Sequence, residues 1–226
     1  MIVRPKPNLL GILFSLKGSI AKRIALRSLL VTLLASVIVL VETLHPAYFS
    51  KVNATPFTLL GLSLSIFMSF RNNACYDRWW EGRKQLGQLI IEVRSLIRQT
   101  QALTDTSERA SLLRAVCGFS HGLIARLRQE DEALAIQPWA KVQADHPNLP
   151  DQVLQQLGAR FSELAGQGAI SEWRYTQWET RLVSLSQVQA ACERIKHTPL
   201  PFPYTLLLHR TIYLFCILLP FAMAEP

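Results

Sequence analysis

Cysteine chemistry has little to work with in this chain. Its four cysteines are Cys75, Cys117, Cys192 and Cys216. No two are close enough for a CxxC pair, and no His/Cys cluster has metal-ligand spacing. They read as reduced thiols buried in helices. The glycines are scattered, with neither GxGxxG nor GxxxxGK, so no phosphate-cradling loop is present. GxSxG and HExxH are missing too, and the five histidines, His45, His121, His146, His197 and His209, lie far apart in sequence. No residue is nominated as catalytic or metal-ligating, and no cofactor is implied. Strand alternation, internal repeats and low-complexity tracts are also missing. What remains is an all-α chain.

Acidic residues are missing from one end. Residues 1–28 carry Arg4, Lys6, Lys17, Lys22, Arg23 and Arg27 with no Asp or Glu, whereas 71–199 is nearly balanced. A net charge of +8 over 226 residues can signal nucleic acid. Here the excess flanks the first apolar stretch, where basic residues set membrane orientation, so no nucleic-acid partner is expected. Half of the residues are hydrophobic and the mean hydropathy is +0.19, which suits a chain partly in lipid and partly in water.

The first apolar run, 24–44, is long enough to span a bilayer at 1.5 Å per residue. It has a basic start but no small-residue cleavage site, so it reads as a retained span rather than a signal peptide. Arg27 can snorkel along its aliphatic stem. A connection over 45–56 holds Pro46, Asn53 and Pro56, with Lys51 as its charge. A second span follows at about 55–70, and Arg71, Arg78, Arg83 and Lys84 come after it. The positive-inside rule then places the N-terminus and everything after Phe70 in the cytoplasm.

The resulting division is a basic segment 1–23, two spans within 24–70, a cytosolic helical block 71–199 and a third membrane segment 200–226. Within the block, a helical pattern to about residue 103 recurs at Leu86, Leu89, Ile90, Val93 and Ile97. A second helix covers 107–130 with Leu112, Leu113, Val116, Phe119, Leu123 and Leu127 inward. Residues 131–150 read as a loop. A third helix at 151–164 takes Asp151 as its N-cap, and a fourth, capped by Ser171, runs to about 196. Pro199, Pro201 and Pro203 end it before the apolar stretch 202–224. His209 and Arg210 interrupt that stretch. A charge at the bilayer centre costs about 2.5–3.5 kcal/mol, so both are expected to face protein or the cytosolic boundary. The sequence stops at Pro226 directly after apolar residues, and a further span beyond it is expected.

The most informative run is Arg71-Asn-Asn-Ala-Cys-Tyr76-Asp77-Arg78-Trp79-Trp80-Glu81-Gly82-Arg83-Lys84-Gln-Leu-Gly87. Two tryptophans below an uncharged span suit the membrane interface, and Asp77 and Glu81 stand at helical spacing from Arg78, Arg83 and Lys84 for ion pairs. Residues alone support a membrane-exit helix. The run also closely resembles the signature that follows the second transmembrane helix of the bestrophin ion-channel family. The order of spans, helical block and Pro-rich return to the membrane is similar over essentially the whole chain.

That resemblance implies a passive, inner-membrane homopentameric channel with one axial pore, whose partners are inorganic ions and the lipid bilayer. The second span would line an apolar neck with Leu62, Ile66 and Phe70, spaced four apart and drifting about 40° per step. Gly61, Ser65 and Ser69 form a neighbouring stripe of small residues that permits close helix approach. An apolar ring gates by losing its water. The resemblance puts a cytosolic aperture near Thr180, a departure from the small apolar residue usual there, expected to be wetter, with Glu179 beside it. No acidic calcium cluster is present. Bacterial members are associated with monovalent cations such as sodium and animal members with chloride, and the uncharged neck excludes neither. Two alternatives stay open. Leu62, Ile66 and Phe70 could simply pack against neighbours or lipid, and the chain could be a non-conducting membrane-anchored scaffold.

Overall fold

The computed structural model describes residues 20–45, 55–143 and 145–222. The basic residues Arg4, Lys6 and Lys17, the connection through Pro46, Lys51 and Asn53, and residues 223–226 lie outside them. Among the described residues every element is helical: α1 (Ala21–Leu44), α2 (Thr55–Gln99), α3 (Thr106–Arg128), α4 (Glu132–Ile136), α5 (Leu149–Gly166), α6 (Glu172–His197) and α7 (Phe202–Ala222). The all-α reading holds. The chain divides into two compact units, residues 1–72 with 201–226 and residues 73–200.

In the first unit α1 packs against α7. These are the two helices, among the described residues, long and apolar enough to cross a membrane, with mean hydropathies of 2.5 over 23–44 and 1.6 over 202–222. Their polar side chains are satisfied locally. Thr32 and Ser36 donate to the carbonyls of Ser28 and Thr32, each at 2.9 Å, so these two hydroxyls are not stranded in an apolar setting. Arg27 lies over the Tyr213 ring at 5.9 Å, and His209 lines a cleft between α1 and α7 together with Arg27 and Tyr213. His209 and Arg210 are nevertheless both exposed, and the His209 Nδ1 stands 2.8 Å from the Thr205 carbonyl one turn back.

The second unit has a true hydrophobic core. Val116, Phe119 and Leu123 of α3, Val153, Leu157 and Phe161 of α5, and Trp178, Leu185 and Val188 of α6 are all at most 3% exposed. They recur at three-, four- or seven-residue spacing, which puts them on one face of each helix. Phe161 meets Trp178 edge-on at 5.0 Å between ring centres. Burial of this kind stabilises by roughly 1.5–3 kcal/mol per large apolar side chain.

Several local expectations are corrected. The span and the exit helix at Arg71 are one continuous helix, α2. Its core face is Leu89, Glu92, Ser95 and Leu96, whereas Leu86, Ile90 and Ile97 are exposed. The segment 131–150 is not all loop. Asp131 caps α4 by accepting from the Leu134 amide at 3.0 Å, and Ile136 drops onto α3 at Gly122. A Cβ there would stand 2.6 Å from the Ile136 Cδ1 atom, so any larger residue would force the Ile136 side chain to shift. The cap of α5 is Asn148, which accepts from the Asp151 amide at 3.3 Å. Pro150 lacks an N–H and sits comfortably in the first turn, so the helix starts earlier than Asp151. Asp105 caps α3 by accepting from the Ser107 and Glu108 amides. Ser171 caps α6 as expected. The four cysteines are free, but Cys75 is exposed rather than buried, and only Cys192 is fully enclosed.

Candidate functional site

The uncharged start of α2 touches α7 at one small residue, Gly61. A Cβ on Gly61 would stand 3.1 Å from the Phe215 ring, a tight contact that the bare glycine avoids. The Tyr204 hydroxyl donates to the Phe67 carbonyl at 2.9 Å. Ser63 and Ser65 donate to the Leu59 and Gly61 carbonyls one turn back. Apart from these contacts the start of α2 is largely exposed, Leu59, Phe67 and Met68 included. Leu62 is 61% exposed, Ile66 48% and Phe70 62%. Among the described residues none buries the three residues nominated as a neck.

Thr180 stands on α6 in the second unit and is exposed. Its hydroxyl donates to the Thr176 carbonyl at 2.8 Å, and Ser184 donates in turn to the Thr180 carbonyl at 3.0 Å. With its proton committed to the helix, the Thr180 oxygen has only lone pairs left to offer. Glu179 is half-buried and turned toward α5. Its Oε2 would lie 3.9 Å from a Cβ at Gly158, and it lines a groove with Asp151, Gln155 and Val183. Its carboxylate is directed at α5 instead of standing beside the Thr180 hydroxyl.

The Trp-Trp run also ties distant helices together. Trp79 and Trp80 are 51% and 48% exposed, and Arg83 lies over the Trp79 ring at 5.6 Å. Arg78 and Glu81 do not serve the pairing along the helix that their spacing suggests. Arg78 donates to the carbonyls of Ile195 and Thr198, and Glu81 pairs with Arg194. Helix carbonyls at a C-terminus lack partners within the helix and carry partial negative charge. Arg78 therefore closes the end of α6 just before the chain turns into α7. Spacing alone could not reveal this, because the partners are more than a hundred residues away.

A second site missed by sequence reading is Glu92, 2% exposed, paired with Arg181 at 3.0 Å and accepting from Gln88. Elsewhere the charges buttress the core. Arg126 bridges Glu132 and Glu193. Burial works against the Arg126 charge, but hydrogen bonds to both carboxylates outweigh it and hold its pKa above the ordinary value. Burial raises the Cys192 thiol, with Glu193 adding to the effect, so the thiolate is disfavoured there.

Comparison with known proteins bears on what this arrangement serves. A family model described as bacterial and fungal bestrophin protein matches residues 1–226. A voltage-dependent anion channel-forming protein of Mesorhizobium japonicum is 39% identical over 228 residues, covering 99% of this chain and 74% of the relative. YneE of Escherichia coli K12, also named a voltage-dependent anion channel-forming protein, is 37% identical over 229 residues, covering 99% and 75%. Among solved structures, a variant of a bacterial bestrophin homologue from Klebsiella pneumoniae superposes with a TM-score of 0.83 at 30% identity, over 89% of this chain and 78% of that one.

Proposed function

Because the chain belongs to the bacterial and fungal bestrophin family, and so is a membrane ion channel rather than an enzyme, we propose that five copies surround one axial pore whose neck is Leu62, Ile66 and Phe70. The observation that carries this reading is that Leu62, Ile66 and Phe70 form one continuous exposed apolar stripe along the start of α2. Five such stripes facing one axis form a constriction that sheds water, and a dry constriction stops ions without a plug. Self-association is further supported by Leu86, Ile90 and Ile97, at least 40% exposed and close together on one face of α2. A monomer leaves that apolar face open to water.

Thr180 forms the cytosolic aperture in this reading. Its hydroxyl presents lone pairs, which suit a cation better than an anion and support monovalent cations, sodium in particular, as the conducted species. The names of the relatives favour a second reading, anion conduction. The channel sits in the bacterial inner membrane with its N-terminus cytoplasmic, residues 24–70 and 200–226 in or at the bilayer and 71–199 in the cytosol. Arg23, Arg27 and Arg71 beside the spans support that orientation.

Purified protein in liposomes tests the selectivity. Efflux of sodium without chloride is the expected result. Chloride flux alone would transfer the case to the second reading, and flux of neither ion would contradict an open pore.

A further inference from the structure

Glu92 breaks the pattern of α2. It is a carboxylate 2% exposed, within a face otherwise made of Leu89, Ser95 and Leu96. Its Oε2 accepts from Arg181 Nη1 at 3.0 Å, and its Oε1 accepts from Gln88. Arg181 is partly covered, its side chain 27% exposed, and its Nε is buried without a hydrogen-bond partner. Its hold on α2 therefore runs through the single Nη1 bond. Arg181 is the residue next to Thr180.

We propose that Glu92 is a positioning residue for the pore: through Arg181 it fixes the roll of α6 and thereby where Thr180 stands. The inference rests on the reading of Thr180 as the aperture. Buried ion pairs are poor sources of net stability, and apolar replacements often serve as well. What a directional ion pair adds is a fixed register. Trp178, Leu182, Leu185 and Val188 decide which face of α6 turns inward. The Glu92–Arg181 bond sets the angle within that face, about 100° around the helix from Thr180. A roll of about 20° swings a side-chain tip roughly 5 Å from the helix axis by about 2 Å. At an aperture with one such residue per subunit, that shift alters which ions fit. The far end of α6 has its own ties, Arg194 to Glu81 and Ile195 and Thr198 to Arg78, so the Glu92 anchor is the one placed beside the aperture residue.

The test is the permeability ratio of a large to a small ion of the conducted sign in planar bilayers: tetramethylammonium against sodium, or isethionate against chloride. Assembly and melting temperature of each variant are checked first. Thr180→Val calibrates the aperture. Glu92→Gln and Arg181→Gln are expected to change the ratio on the order of twofold or more, while Arg181→Lys, which keeps the charge opposite Glu92, stays near the wild-type ratio. If Glu92→Gln does not assemble, Arg181→Gln, at a partly exposed position, decides alone. A shift with Thr180→Val but none with the assembled Gln variants overturns this inference and leaves the aperture reading standing. No shift with Thr180→Val overturns both.

Discussion

Glu108 and Arg160 form a two-pronged pair, Nε to Oε1 and Nη2 to Oε2, both at 2.7 Å. They tie the first turn of α3 to α5. The hydrogen bonds from Arg160 hold the Glu108 carboxyl below its ordinary value of 4.5, although partial burial pulls the other way. A depressed carboxyl contributes stability that is complete above its unfolded pKa and is lost as the pH falls through the folded one. Glu108→Gln is therefore expected to lower the melting temperature at pH 7 by roughly 2–4 °C, with the deficit shrinking as the pH drops below 4.5. Melting curves at pH 7 and pH 4 check this, and a deficit that grows toward low pH would contradict it. The pair was not legible in the sequence, because its partners are 52 residues apart and neither sits in a motif. Asn148 teaches the same lesson at closer range. Both Asn148 and Asp151 are good caps, and only the accommodation of Pro150 in the first turn decides between them.

Among elements, α3, α5 and α6 were legible where apolar periodicity is strong, as at Val116, Phe119 and Leu123. The reading of α2 gave a helix and an apolar recurrence, of which Leu89 and Val93 serve the core. Its apolar residues occupy more of the circumference than one core can use, so Leu89 and Leu96 go inward and Ile90 and Ile97 stay out. Periodicity alone cannot rank two apolar faces on one helix. The ties between α2 and α6 are long-range and charged, and they give the tryptophan-rich run its structural role. Arg78→Met keeps the aliphatic stem but removes the donors to Ile195 and Thr198. It is expected to destabilise the protein by roughly 1–3 kcal/mol, read by chemical denaturation in detergent. An unchanged midpoint would mean that water or a neighbouring side chain closes the end of α6 just as well.

For the whole molecule, the fold class and the family were both legible in the sequence. The all-α character followed from the absence of strand patterning, and the family from one charged, tryptophan-bearing frame. The surfaces were not legible. Leu62, Ile66 and Phe70, and separately Leu86, Ile90 and Ile97, are exposed in one chain, and a sequence does not distinguish a face meant for lipid from one meant for another copy. On the proposed reading the first set meets across a pore. Replacing all three by alanine should widen the neck and let water stay in it, the condition for passing ions. Single-channel current in planar bilayers, wild type against the Leu62→Ala, Ile66→Ala, Phe70→Ala triple variant, measures this directly. The account predicts a conductance several-fold higher, roughly threefold or more. Equal currents from an intact assembly would show that these side chains do not line the conduction path.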